Sequence, residues 1–259
     1  MKTALITGAS GGIGLEIARL FAQDGYNVIL VARNVERLVR VKRAIEKRYG
    51  VKAFVFACDL TEEKACERVF KFVRVNSLEI DALVNNAGFG DRAPFAESDW
   101  QRQYEMIKLN IVALMQLTHK LLPSMIKRGE GKILNVASVA SFCAGPDMSV
   151  YYASKAFVRS FSEAVAEEVR GHGVTVTALC PGPVKTGFER AANLEGANMF
   201  KLLHAANARD VALCGYRAMM SGRTLKYYGI AAKAMSFAVR AVPRCLCRKV
   251  AGKVNQKEA

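Results

Sequence analysis

Short apolar runs alternate along the chain with longer stretches in which apolar residues recur every three or four positions. Thr3-Ala4-Leu5-Ile6 reads as a buried strand, and a helix follows from about Ile13 to Asp24. Asn27 to Val31 is a second strand, with Gly25 stopping the helix before it. A charged helix over 34–49 ends at Gly50, Val51 to Ala57 is a third strand, and another helix covers 62–76. Ala82-Leu83-Val84 opens a fourth strand, and a long helix over 98–126, interrupted near Pro123, leads to a fifth at Lys132 to Ala137. A helix over 149–170 and a β-branched strand from Val174 to Leu179 complete the pattern. Continuously apolar strands joined by helices require parallel pairing with both sheet faces covered. The expected fold is α/β, one doubly wound parallel sheet that binds its ligand at the carboxyl ends of the strands.

Composition narrows this further. The 259 residues are 51% apolar, which excludes a disordered chain, and the length suits one domain. Seven cysteines are irregularly spaced, with no CxxC and no second pair to complete a zinc set, so reduced thiols in a cytoplasmic protein are expected. His119, His172 and His204 are isolated, and no metal site is expected. Met1-Lys2 leads into only a short apolar run before Thr7-Gly8, which predicts no signal peptide, and no window matches a spanning helix.

The strand ends carry the candidate chemistry. After strand one come Thr7-Gly8-Ala9-Ser10-Gly11-Gly12-Ile13-Gly14, a turn whose glycines let a phosphate approach backbone N–H groups at a helix N-terminus. This points to a dinucleotide on a Rossmann-type sheet, with Gly8, Ser10, Gly12, Ile13 and Gly14 as contacts. Strand two ends in Ala32-Arg33-Asn34, with no carboxylate for a ribose 2′-hydroxyl. A guanidinium suits a 2′-phosphate, so the expected cofactor is NADP(H), with Arg33 as anchor and Asn34 and Arg37 beside it. The alternative for Arg33 is a solvated charge opposite Glu36. Asp59 and Leu60 are placed for the adenine edge, Asp59 having the alternative role of a helix cap.

Ser138 follows strand five, and Tyr151 and Lys155 stand at i and i+4 on the next helix, phenol and ammonium on one face. A nearby fixed positive charge favours the phenolate, giving an acid/base usable near neutral pH. Tyr152 has Ala156 four residues on and is assigned to packing.

Taken together, T7-G-A-S-G-G-I-G14, N85-N-A-G88, Asn110, Ser138, Y151-Y-A-S-K155 and P181-G-P-V-K-T186 resemble the short-chain dehydrogenase/reductase family over about residues 1–186. The resemblance implies a nicotinamide-dependent carbonyl/alcohol redox enzyme. Tyr151 would exchange the substrate proton, Lys155 hold the nicotinamide ribose and lower the Tyr151 pKa, Ser138 orient the carbonyl, and Asn110 support a water in the proton relay. Asn86, Ala87 and Gly88 would line the cofactor cleft, and Pro181, Gly182, Val184 and Thr186 contact the nicotinamide half. A homo-oligomer built on the helices at 98–126 and 149–170 is implied too.

Residues 187–205 hold Phe188, Leu194, Met199 and Phe200 among charges, a pattern that fits either a lid over an apolar substrate or ordinary helix packing. The catalytic domain is drawn over 1–225 and a basic amphipathic extension over 226–259, where Pro243 divides two short helices. The extension carries eight basic residues and one acidic, out of a net charge of +15. Packing on the body or on a neighbouring subunit is the preferred reading, ahead of contact with an anionic membrane surface. No nucleic-acid motif is present. The tail resembles that of bacterial oxidoreductases near long-chain 3-oxoacyl and 17β-hydroxysteroid reductases. Two functions follow as expectations: an NADP(H)-dependent reductase of a hydrophobic ketone, such as a steroid or 3-oxoacyl compound, or an NADP-binding sensor or scaffold acting through the tail.

Overall fold

The computed structural model describes residues 1–194 and 205–256. Seven parallel strands form the main sheet in the order β3-β2-β1-β4-β5-β6-β9. They are β1 (Thr3–Thr7), β2 (Asn27–Ala32), β3 (Ala53–Ala57), β4 (Ala82–Asn85), β5 (Gly131–Val136), β6 (Val174–Cys180) and β9 (Leu225–Tyr227). A separate two-residue pair joins β7 (Val184–Lys185) to β8 (Ala206–Asn207). The sheet order reverses between β1 and β4, and that crevice at the carboxyl edge is where such sheets bind ligands.

Alternation along the strands divides the core between two faces. Ala4, Ile6, Val28, Leu30 and Val84 pack with α1 (Gly12–Gln23), α2 (Val35–Tyr49) and α8 (Ala208–Met220). Leu5, Ile29, Val31, Leu83 and Ile133 pack on the other side with α3 (Ala65–Val75), α5 (Leu114–Arg128) and α6 (Ser149–Glu168). Burial on both faces explains why the strands read as continuous apolar runs.

Two expectations are corrected. The helix expected over 98–126 is α4 (Trp100–Ile107), a π-helical segment at Lys108–Ala113, and then α5, which runs on through Pro123. Pro123 and His119, four residues before it, are both exposed, so the ring sits on the solvent side of the helix, which continues past it. The irregularity sits instead at Asn110, within the π segment. The boundary drawn after residue 225 falls inside β9, which pairs with β6. Beyond it lie α9 (Ile230–Ala241) and α10 (Arg244–Asn255), with Pro243 between them as expected. A short helix, α7 (Phe188–Ala191), begins the segment 187–205, whose Met199 and Phe200 lie outside the described residues.

Candidate active site

The turn after β1 is clamped to the end of β4. The Thr7 hydroxyl donates to the Val84 carbonyl (3.2 Å) and accepts from the N–H groups of Asn86 (2.9 Å) and Ala87 (3.0 Å). Asn86 Nδ2 donates back to the Thr7 carbonyl at 3.0 Å. A Cβ on Gly14 would lie 2.5 Å from both Asn86 Nδ2 and the Gly8 carbonyl oxygen, so only glycine fits there. At Gly8 the φ of +67° and a Cβ position 2.6 Å from Asn86 Nδ2 impose the same choice. Gly11 then starts α1 without a side-chain cap, and the first turn holds no acidic residue. The helix therefore presents free N–H groups and its positive dipole end to the crevice, a fitting cradle for a pyrophosphate.

One cavity of about 760 Å³ begins at this turn. Gly8, Ser10, Gly12, Ile13, Asn86, Ala87 and Gly88 line it, followed by Ser138, Tyr151, Lys155, Pro181, Gly182, Val184 and Thr186. Tyr151 is buried, and burial pushes its phenol up to about 12, against a hydrogen bond with Ser138 that lowers it. Lys155 is buried too, and loss of water brings its ammonium down to about 8. Its Nζ donates to the Val136 carbonyl at 2.8 Å and lies 5.8 Å from the Tyr151 ring centre. The lowered phenol expected from the sequence is thus not seen in the chain alone: desolvation outweighs the ammonium, which is engaged with a backbone carbonyl. Ser138 Oγ also accepts from the Ala140 N–H at 3.1 Å.

Asn110 stands behind this wall. It bonds both backbone groups of Phe89, accepting from the N–H at 3.1 Å and donating to the carbonyl at 2.9 Å. The same Nδ2 donates to Ser154 Oγ (3.1 Å), which donates to the Tyr151 carbonyl at 2.7 Å. A Cβ on Gly88 would come within 2.9 Å of Asn110 Oδ1 and 3.5 Å of Lys155 Nζ, so the three converge.

The outer end is looser. Arg33 is 80% exposed, with its guanidinium 3.6 Å from an Asp59 oxygen. Burial would raise the Asp59 carboxyl, but two bonds from Thr61 and the Arg33 charge outweigh it and hold the pKa below its ordinary value. Asn34 caps α2, accepting from the Arg37 N–H at 2.8 Å. Arg37 lines the cavity, whereas Arg33, Asn34, Asp59 and the buried Leu60 are not among its lining.

At the other end the tail supplies the wall. Met235, Val239 and Val242 near α9, with Leu246, Val250 and Val254 of α10, face Tyr152 and Phe188 across an apolar arm. Asn255 at the end of α10 is fully buried: it accepts from the Tyr152 hydroxyl at 3.0 Å and donates to the Pro146 carbonyl at 2.8 Å. Tyr152, assigned to packing alone, therefore also anchors the tail, and burial raises its phenol well above the usual range.

Other buried polar positions belong, Asn85 apart, to no motif in the sequence. Buried Asp91 accepts from Arg102 Nε (2.8 Å), Gln103 Nε2 (2.9 Å) and Asn193 Nδ2 (2.8 Å), and Arg102 also reaches the Ala191 carbonyl, which ties α7 to α4. Beneath the site, Asn85 Nδ2 donates to Asn135 Oδ1 at 2.9 Å, and Asn135 Nδ2 to Ser162 Oγ at 2.8 Å. A polar residue inside an apolar strand, as in Ile133-Leu134-Asn135-Val136, was the available signal.

A family model described as short chain dehydrogenase matches residues 2–196. The chain belongs to this family of oxidoreductases. Serine 3-dehydrogenase of Agrobacterium fabrum is 37% identical over 218 residues, covering 81% of this chain and 84% of that protein. A fatty acyl-CoA reductase of Acinetobacter baylyi is 40% identical, covering 71% of this chain, and this chain spans only 63% of its length. Among solved structures, a short-chain dehydrogenase from Sphingobium yanoikuyae in complex with NADPH is 28% identical, with a TM-score of 0.83 over 95% of each chain. These names lend no support to the sensor alternative.

Proposed function

We propose that this short-chain dehydrogenase is an NADP(H)-dependent reductase of an apolar ketone, working reversibly on the secondary alcohol, with Tyr151 as the proton donor. The observation that carries this reading is the buried Tyr151 phenol, bonded by Ser138, in the same cavity as Lys155 and the glycine turn. The cradle of α1 fits a pyrophosphate, with Gly8, Ser10, Gly12, Ile13 and Gly14 around it. Arg33 and Arg37 would take the 2′-phosphate, since no carboxylate ends β2, and the NADPH held by the Sphingobium neighbour agrees with that choice. Asp59 and Leu60 would border the adenine, and Asn86, Ala87, Gly88, Pro181, Gly182, Val184 and Thr186 the remainder. When bound, the nicotinamide supplies the hydride.

The chain's own residues do the rest. Tyr151 Oη gives its proton to the carbonyl oxygen as negative charge grows there, and a phenol near 12 stays protonated for that step at neutral pH. Ser138 Oγ donates a hydrogen bond to the same oxygen. Lys155, below its pKa of about 8, is a cation beside the phenolate left behind. Asn110 acts as a positioning residue, fixing Phe89 and, through Ser154, the helix that bears Tyr151. The apolar arm of α9 and α10 supports a hydrophobic substrate such as a 3-oxoacyl or steroid ketone. The test is NADPH consumption by the purified chain against ketosteroids, 3-oxoacyl thioesters and small polar aldehydes. Turnover highest on the apolar ketones is expected, and none on any carbonyl would overturn the reading.

A further inference from the structure

Helices α9 and α10 carry an outer surface that the cavity wall does not use up. From Val211 to Lys257 the sequence holds ten Lys or Arg and no Asp or Glu, so most of the net charge of +15 lies in under a fifth of the chain. Within this basic stretch, Leu246 and Val250 are 51% and 54% exposed, yet both also line the cavity. They form its lip. Lys249 follows Leu246 by three residues and Lys253 follows Val250 by three, so each lip residue has a cation on the same flank of the helix. On α9, Phe237 is 56% exposed, one turn beyond the exposed Lys233.

We propose that the α9–α10 surface docks on an anionic lipid bilayer, with the lip of the apolar arm set against it. Three considerations select this occupant. Half-exposed apolar side chains among cations, on short helices lying along the surface, match helices that rest in the headgroup region. A stretch without carboxylates is attracted by an anionic leaflet, each cation near the surface adding to the attraction. A second copy meeting the same surface would place like charges together, which opposes self-association there. The contact proposed is peripheral; no helix among the described residues is long and apolar enough to cross a membrane. A ketone dissolved in lipid would then enter the arm between Leu246 and Val250 without crossing water. Docking stands on these surface features alone, and only this delivery rests on the proposed redox function.

Flotation of the full chain with phosphatidylcholine vesicles, with and without phosphatidylglycerol, tests the proposal. Binding only to the anionic vesicles is expected. Charge reversal at exposed Arg248→Glu with Lys249→Glu should weaken that binding at least tenfold while leaving turnover of a water-soluble ketone and the melting temperature unchanged. Leu246→Ser with Val250→Ser should also weaken it at least tenfold, with cofactor binding as the check on folding. No binding to anionic vesicles, equal binding to neutral ones, or full binding by either double variant would overturn the proposal. A dimer of the parent chain that Leu246→Ser with Val250→Ser dissociates in light scattering would overturn it in favour of a second copy. Flotation needs no turnover, so a chain that floats yet oxidises no NADPH refutes the redox reading and not this one.

Discussion

At Lys155 two demands compete: the proposed mechanism needs the cation beside the phenol, and burial disfavours the cation. Desolvation brings its pKa to about 8, so the group is charged at pH 7 and loses its charge as pH rises through that value. On the proposed mechanism kcat/KM for NADPH, which reports groups of the free enzyme, falls as pH rises through about 8. A profile level across that range would show that the Lys155 charge is not used. Arg33 offers a separate test. Among the described residues its guanidinium has a weak partner in Asp59, and its 80% exposure leaves it open to a phosphate. Arg33→Asp removes a charge-assisted bond of about 1.5–3 kcal/mol, so the Kd for NADPH should rise about 10- to 100-fold while that for NADH barely moves. Equal changes for both cofactors would reassign Arg33 to the surface. Residue types and spacing picked out Tyr151, Lys155 and Ser138 as candidates, and the fold gathers them around one cavity, whereas Arg33 lies outside its lining. The direction of the Tyr151 shift was not legible in the sequence, because it depends on how much water the fold removes around the ring.

At the scale of elements, the apolar strands and the glycine turn were readable because period and turn chemistry are local properties. The π segment at Lys108–Ala113 was not, since nothing in its composition separates it from α-helix, while Pro123, the residue expected to break the helix, sits inside α5. The tail helices were legible as helices, but their place as the wall of the arm depends on long-range contacts. Asn255 is the clearest of these, joining α10 to Tyr152 and Pro146. Asn255→Ala leaves the Tyr152 hydroxyl without its partner in a buried place, at a cost of about 1–3 kcal/mol. For a chain of this size that lowers Tm by about 2–4 °C per kcal/mol. Adding Tyr152→Phe removes the orphaned hydroxyl, so the double variant should melt above Asn255→Ala alone. Strict additivity in a thermal melt would count against this bond as the anchor.

Across the whole molecule, the sheet order places the ends of β1, β4, β5 and β6 along one crevice, and the tail folds back to close its apolar end. The positions of Gly8, Asn86, Ser138 and Tyr151 around one cavity follow from that topology, which the alternation of strands and helices already implied. The closing contacts of Asp91 and Asn255 do not follow from it, because each joins segments far apart in sequence through single polar side chains. The proposed reduction turns on proton transfer from one phenol. Pre-steady-state turnover of Tyr151→Phe, with NADPH binding measured in parallel, tests this most directly. A loss of about 10²- to 10⁴-fold in the rate of hydride transfer with an unchanged Kd for NADPH is predicted. A variant that binds NADPH and reduces the ketone at nearly the parent rate would contradict it.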